Sequence, residues 1–532
     1  MRSEHDAIVI GAGHNGLACA CHLARAGLRV LVVELHPTIG GMTRSVEITL
    51  PGFRHDLHAA GVQLANLSPS IAELGLDARG FSLLRPPINY VHLFPEGPAL
   101  EFHRDLERTC HSLARYSPRD AARWRLLMDE FERDRARLVE QLFSPPPAIP
   151  PPPATADAGD TPTTLRSWLD ANFEAEEVKT AFAAWGLHVS AAPDDPGGVA
   201  TAAFGTVIQA VGNNPVRGGM QHLPDALARV LHEHDGEIVC GARVTRILVE
   251  GGRARGVRLD DGTEYRATRL VAASVNPILV ARDLLDDDEL GAEVAEKMRR
   301  VRTGSAQMTI FLALDEPVEF RAGAYFHQSL YAHATPPGLD ALQSTTEGVR
   351  AGVLPADPML LFVNEGGVDP TRVPEGKASL RILVLPLPWE IRDDSRAPVP
   401  DTTWQRAAEA YADHVIELAE RSYLPGLRRR ILKRVVHDPV TMSRESPDCY
   451  RGDVSHVGMV PEQSGALRPI AEMGRYRTPV SGLYLCGSGT HPGSGVTMAC
   501  GRNAASVILS DLGLAATDAA AAAPGSGTTR RG

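Results

Sequence analysis

The sequence predicts an α/β protein, and three observations carry that prediction. An apolar run near the N-terminus breaks through a glycine-rich turn into a helical pattern and then a second apolar run; another apolar run near the C-terminus enters a second glycine-rich loop; and between them strand-like segments alternate with amphipathic helical stretches.

The first unit spans Asp6 to Glu34, DAIVIGAGHNGLACACHLARAGLRVLVVE. Ala7–Ile10 has the length and β-branched content of a buried parallel strand and runs into Gly11, Gly13 and Gly16, a G-x-G-x-x-G turn. Leu17–Ala26 has a helical period, Gly27 stops it, and Arg29–Val33 makes a second strand ending in Glu34. This β-α-β unit is Rossmann-type. Gly11 permits the tight turn, Gly13 lets backbone approach a pyrophosphate, and Gly16 lets helix and strand pack closely, with phosphate on the positive end of the helix. Glu34, 18 residues after Gly16, stands where a carboxylate accepts hydrogen bonds from ribose hydroxyls.

Residues 35–45, LHPTIGGMTRS, continue into Gly40 and Gly41 and then Arg44. The joined pattern, V-I-G-A-G-x-N-G through E-x-x-x-x-x-G-G, resembles the flavoprotein amine oxidase and phytoene desaturase superfamily. The C-terminal stretch Gly482–Ala505, GLYLCGSGTHPGSGVTMACGRNAA, carries the order G-S-G-x-H-P-G-x-G-V, and Gly452, His456 and Gln463 precede Arg468-Pro469. These resemble the phytoene desaturase-related branch, that of pyridine nucleotide-disulfide oxidoreductase domain-containing protein 2. The resemblance implies non-covalent FAD and a glutathione reductase-like nucleotide domain. It assigns cofactor contacts to Gly11, Gly13, His14, Asn15, Gly16, Glu34, Gly40, Gly41 and Arg44, to the Val244 backbone at adenine, to Ser274, and to Gly487, Ser488, Gly495 and Val496 in the closing segment. Many flavoproteins have an acid where Ser488 stands, so a carboxylate contact to the ribityl chain is absent here.

The bulk numbers bound the rest. A chain of 532 residues, 43% hydrophobic and 22% charged, is too long for one compact core. A net charge of −11 without a basic cluster argues against nucleic acid as a partner. Cys19, Cys21, Cys110, Cys240, Cys449, Cys486 and Cys500 form neither C-x-x-C pairs nor a zinc quartet, so no metal and no dithiol centre is expected, and the compartment is expected to be reducing. The first strand starts close to the N-terminus and no run approaches the ~18 apolar residues of a membrane span. The expectation is a cytoplasmic protein, soluble or peripherally attached to membrane.

In order along the chain, 1–94 is expected to be the first FAD-binding segment, with His55, Asp56 and His58 in 51–69 and His58 a candidate lining residue of the flavin site. Residues 95–200 read as a helical cap: Trp124, Leu127, Phe131, Leu138 and Leu142 recur at helical spacing, and Trp168, Phe173, Phe182 and Trp185 mark a second helical block. A proline-rich excursion at 144–164 interrupts it. Residues 201–300 are the second FAD-binding segment, where Val244–Val249, Ala254–Leu259 and an Asp261-Gly262 turn predict a hairpin before VAASVNP at 271–277. Residues 301–470 are an α+β substrate domain with strands at 308–317, 359–366 and 378–388 and a helix over Trp404–Ala419. Residues 471–513 close the FAD-binding domain, with a helix from about Gly495, and the Ala, Gly and Ser tail is expected to be disordered.

The function expected from these features is dehydrogenation of a largely apolar organic substrate by hydride transfer to the flavin, which supplies the chemistry itself. His491, in the closing loop, is a candidate catalytic group beside the flavin, with a loop-fixing role as its alternative; His58 is the other candidate. An amine substrate, saturation or isomerisation, and a non-catalytic flavin-binding scaffold are the rival readings. The sequence does not encode the electron acceptor, whether oxygen, a quinone or another protein, and a homodimer is compatible with it.

Overall fold

The computed structural model describes residues 4–147, 163–336, 338–392, 397–399 and 402–514. Most of the proline-rich excursion, and the tail after residue 514, lie outside the described residues.

Five parallel strands form the centre of the first sheet, in the order Glu237–Val239, Val30–Val33, His5–Ile10, Glu264–Ala273 and Leu483–Leu485. Their register aligns Val239, Val33, Ile10, Ala273 and Leu485. The carboxyl ends of all five therefore finish level, and the residues that follow them, Glu34, Gly11, Ser274 and Cys486-Gly487 among them, meet along one edge. In open α/β sheets that edge is where ligands bind.

The long strand Glu264–Ala273 changes partners along its length. Its first residues pair antiparallel with Arg253–Leu259, which pairs with Val244–Glu250. The Asp261-Gly262 turn is present, with Gly262 at φ 85° and the Leu259 amide donating to the Thr263 carbonyl at 2.8 Å. A further turn through Gly251-Gly252 extends the expected hairpin to a meander. One face of the parallel sheet packs Val9, Val30 and Val32 against Leu17, Leu227 and Ile508 of helices His14–Arg25, His222–Glu233 and Ala499–Asp511. The other packs Ile8, Ile10, Leu31 and Val33 against Ile247 and Val257 of the meander.

The second sheet runs Ile431–His437, Ala306–Leu314, Ala378–Leu387, Met359–Val363, Tyr331–Ala334, Ile88–Leu93 and Leu100–His103. Its central strands are covered on both sides, so Ala306–Leu314, Ala378–Leu387 and Met359–Val363 are buried along their whole length. Ile310, Leu360, Phe362 and Ile382 meet Trp404, Tyr411 and Val415 of the helix Trp404–Ser422. On the opposite face Tyr90, Leu361, Val363 and Leu383 belong with Trp124, Phe131, Phe182 and Trp185 of the helices Pro118–Phe143 and Glu176–Leu187. Each such large apolar side chain contributes about 1.5–3 kcal/mol by leaving water, and the aromatic residues of the two helical blocks are spent on this core.

Two boundaries differ from expectation. Ile88–Leu93, assigned to the nucleotide segment 1–94, joins the second sheet, and the cap segment 95–200 opens with the strand Leu100–His103. The strand INYVHL hides its nature because its polar groups are buried with partners: Asn89 Nδ2 donates to the carbonyls of His103 and Ile208, at 3.3 and 3.2 Å, and His92 Nε2 lies 3.0 Å from Thr335 Oγ1. The closing helix begins at Ala499, later than the expected start near Gly495, because Met498 at φ 62° interrupts helical backbone.

Candidate functional site

The strand His5–Ile10 delivers the chain into the glycine turn, where Gly11 takes φ 94°, open to glycine but strained for other residues. Gly13 is the extended N-cap of the helix His14–Arg25. A Cβ on Gly16 would lie 2.1 Å from the Gly11 carbonyl oxygen and 2.9 Å from Ser274 Cβ, so this glycine lets the helix rest on the turn and the neighbouring strand end. A Cβ on Gly13 meets nothing within 4 Å. The helix N-terminus, with its unpaired amides, thus opens onto space.

The loop after the second strand folds back over this turn. The Gly40 amide donates to the Ala12 carbonyl at 2.9 Å, and a Cβ on Gly41 would come within 3.2 Å of Gly13 Cα. Arg44 follows, buried, with Nε donating to the Gly41 carbonyl at 3.2 Å and no carboxylate at ion-pair distance among the described residues. Burial holds its guanidinium below the ordinary arginine range, although Glu34 and Glu445 favour the charged form.

Glu34 is buried at the strand tip. Its Oε2 accepts the Ala12 amide at 2.7 Å and its Oε1 the His36 amide at 2.9 Å, which leaves further lone pairs on each oxygen. The Glu34 carbonyl accepts the Ala242 amide at 2.9 Å, which brings Val244 and its strand alongside.

From the C-terminal side, a Cβ on Gly487 would sit 2.1 Å from the Ser274 carbonyl oxygen, and Asn15 Nδ2 donates to Ser488 Oγ at 3.1 Å. Gly501 lets the closing helix pack on the first one, since its Cβ would be 2.0 Å from the Asn15 carbonyl oxygen. His14 lies against the Gly495 backbone, and burial holds its imidazole down to about 4. The residues singled out in both glycine loops are therefore neighbours, with Gly495 and Val496 beside the helix that carries His14.

The two catalytic candidates stand elsewhere in this arrangement. His491 donates from Nε2 to the Gln141 carbonyl at 2.8 Å, and its own carbonyl accepts the Tyr476 hydroxyl at 2.8 Å. Arg502 and Asn503 donate to the carbonyls of Phe143 and Leu142, at 2.7 and 3.2 Å. Together these groups satisfy the orphan carbonyls at the end of the helix Pro118–Phe143, so the His491 ring is engaged in joining the closing loop to the cap. His58 is buried, its Nε2 3.2 Å from Ser446 Oγ and its Nδ1 without a partner; burial, with Arg44 and His437 nearby, holds it down to about 3.

Sequence reasoning named Asp56 and Arg468 but missed the two buried charged groups to which they belong. Asp56, Glu365, Arg372 and Arg381 form an ion cluster with no solvent contact, with Arg372 Nη1 2.9 Å from Asp56 and Arg381 Nη2 2.7 Å from Glu365. Arg381 Nη1 also donates to the His58 carbonyl at 2.9 Å. An arginine inside the apolar run ASLRILVLPL was the available signal. Arg468 is likewise buried and donates to the carbonyls of Ser455, Val457, Gly458 and Ser488.

The level strand ends, the open helix N-terminus and the carboxylate beside it define a dinucleotide-binding α/β protein. Comparison with known proteins makes this specific. Residues 16–509 match the family model of flavin containing amine oxidoreductases, and the chain belongs to that family. Mouse pyridine nucleotide-disulfide oxidoreductase domain-containing protein 2 is 28% identical over 565 residues, covering 96% of this chain and 94% of its own. The lycopene-forming phytoene desaturase of Pantoea ananas is 26% identical over 531 residues, covering 95% and 99%. An oxidoreductase from Methanosarcina mazei shares the fold, with TM-score 0.62, 20% identity and coverage of 95% and 99%. The chain is an FAD-dependent oxidoreductase related to the phytoene desaturases. Its residues fit FAD: the space at Gly13 admits a phosphate, and Arg44 is a buried cation without a carboxylate partner among the described residues.

Proposed function

We propose that this protein dehydrogenates a largely apolar organic substrate, introducing a double bond. FAD, when bound, accepts the hydride. The first sheet is read as a glutathione reductase-like FAD domain, with the second sheet and its helices as the substrate domain and cap. In this reading the amides of Gly13 to Gly16 and the Arg44 guanidinium hold the pyrophosphate, Glu34 accepts from ribose hydroxyls, the Val244 backbone meets adenine, and Ser274 and Ser488 face the ribityl chain.

The observation that carries the choice of an uncharged substrate is the state of the buried carboxylates. One way to receive an ammonium substrate is a buried carboxylate without partners, and those buried among the described residues all have partners, Asp448 accepting the Asn276 amide. Glu34 holds two amides, Asp56 and Glu365 face arginines, Asp120 accepts the amides of Glu174 and Ala175, Asp369 those of Gly218 and Thr371, Asp438 caps a helix, and Asp453 accepts the amides of Gly304 and Ser455. The phytoene desaturase relative supports the same direction. His58, with an unpartnered Nδ1, is the candidate for the second proton in this reading, but burial that holds its imidazole down to about 3 makes it a weak base.

Among the described residues no helix is long and apolar enough to cross a membrane. Peripheral contact with membrane, where apolar substrates and quinones reside, is part of the proposal, as are oxygen or a quinone as acceptor, a cytoplasmic location and a homodimer. Anaerobic mixing of the holoprotein with polyene, terpene and amine panels tests the reading. Bleaching of the flavin by apolar compounds alone is expected, and bleaching by amines alone would reject it.

A further inference from the structure

His456 sits in a loop of the second domain, and its backbone is over-determined. It adopts φ 64°, a left-handed conformation uncommon for a side-chain-bearing residue. Its carbonyl accepts Asn276 Nδ2 at 2.9 Å. The carbonyls on either side of it, Ser455 and Val457, are both held by Arg468 Nη2, at 2.9 and 3.0 Å. The same guanidinium grips the Ser488 carbonyl from Nε and Nη2, at 3.1 and 2.9 Å. Arg468 therefore fastens the loop bearing His456 to the closing glycine loop. Strained residues fixed from several directions cluster at functional sites.

The imidazole so positioned has unused hydrogen-bonding capacity. His456 is 6% exposed and its Nδ1 has no partner. It lies close enough to His14 for their charges to interact, and His14, 8% exposed, leaves its Nε2 unpartnered as well. Two nearly buried imidazoles thus carry free nitrogens beside the N-terminus of the helix His14–Arg25. Buried polar atoms normally find partners, so a pair left without them points to a ligand that supplies one.

We propose that His456 is a cofactor contact, its Nδ1–H donating to an oxygen of the phosphate–ribityl chain of FAD in concert with His14. This rests on the FAD placement proposed above. Burial, with Arg468 adding to it against the opposing effect of Asp453, holds the His456 imidazole down to about 4, so it is a neutral donor at working pH.

The test dilutes purified holoprotein and follows FAD release by flavin fluorescence, alongside thermal unfolding of the FAD-stripped protein. His456→Gly relieves the left-handed strain while removing the ring; the stripped protein is expected to unfold no lower than wild type, yet FAD should bind roughly tenfold more weakly, as for one lost hydrogen bond. His456→Asn, which tolerates this backbone and keeps a donor, should recover part of the loss. Wild-type FAD affinity in His456→Gly would overturn the proposal, as would parallel losses of affinity and apo stability. Gly13→Val serves as the control for the site itself: if it binds FAD normally, the FAD placement fails first and the His456 contact with it.

Discussion

Gly13 and Gly16 share one turn but stand in opposite surroundings: a Cβ on the first meets nothing within 4 Å, and on the second it would be 2.1 Å from the Gly11 carbonyl oxygen. One glycine keeps space for a ligand and the other permits protein packing. Gly13→Val should therefore leave the FAD-stripped protein folded with a thermal midpoint near wild type, but lose the flavin. Gly16→Ala should be recovered poorly or not at all, because backbone must move to admit the methyl. Measuring soluble yield and the flavin-to-protein absorbance ratio for both checks the pair, and a yellow Gly13→Val protein would refute the assignment.

Glu34 has a structural task beside the ribose contact proposed for it, because its two oxygens hold the Ala12 and His36 amides. Glu34→Ala should destabilise the protein by about 1–3 kcal/mol, the range for leaving such amides unpaired, and weaken FAD binding by more than tenfold. Glu34→Gln keeps one acceptor and should lose less of both. Equal flavin occupancy in the three proteins would separate the carboxylate from the ribose.

His491 was legible as a residue of the closing loop, whereas its ring bond to the Gln141 carbonyl was not, because the partner is 350 positions away in the chain. The expected result of His491→Ala is a loss of about 1 kcal/mol in stability with FAD retained. Anaerobic flavin reduction by substrate should keep its wild-type rate. A reduction slowed tenfold or more at unchanged FAD content would give the ring a part in the reaction.

These cases show which parts of the fold were readable. The β-α-β unit, its terminal acid and the closing glycine loop depend on local rules: strand length, glycine at positive φ, and a helix start. Ile310, Phe362 and Ile382 lie in continuous apolar runs, so their strands could also be read. Ile431–His437 was missed because it is an edge strand whose Lys433 and Leu432 face solvent, which leaves no apolar run. Tyr331–Ala334 is short and pairs in parallel with Ile88–Leu93 across some 240 residues, a relation no local pattern encodes. Arg468 and Arg381 are cations enclosed by carbonyls and a carboxylate from distant segments, and although Arg381 stands in an apolar run and Arg468 in a motif, sequence alone does not name those partners.

Buried neutral histidines set the pH dependence of stability. Burial, first among the causes in each case, holds His55, His58 and His92 down to about 3 and His14, His22, His188 and His456 down to about 4. Their unfolded value is 6.5, so below that pH the unfolded chain takes up protons that the folded protein refuses. Their contribution is intact above about pH 7 and falls as pH drops from 6.5 towards 4, by up to ~1.4 kcal/mol per pH unit for each histidine. Asp448, raised by burial to about 6, Glu365, raised by burial to about 7, and Asp453, also raised by burial, oppose this, since their ionisation in the unfolded chain favours unfolding as pH rises from about 4; they are three groups against seven imidazoles. Denaturant midpoints of the holoprotein should thus fall steeply between pH 6.5 and 5 and change little between 7 and 8. His92→Gln retains a partner for Thr335 while removing one titrating ring, and should flatten the slope by up to ~1.4 kcal/mol per pH unit. A midpoint that stays constant from pH 7 to pH 5 would mean that these rings open to water, or are protonated, in the folded protein.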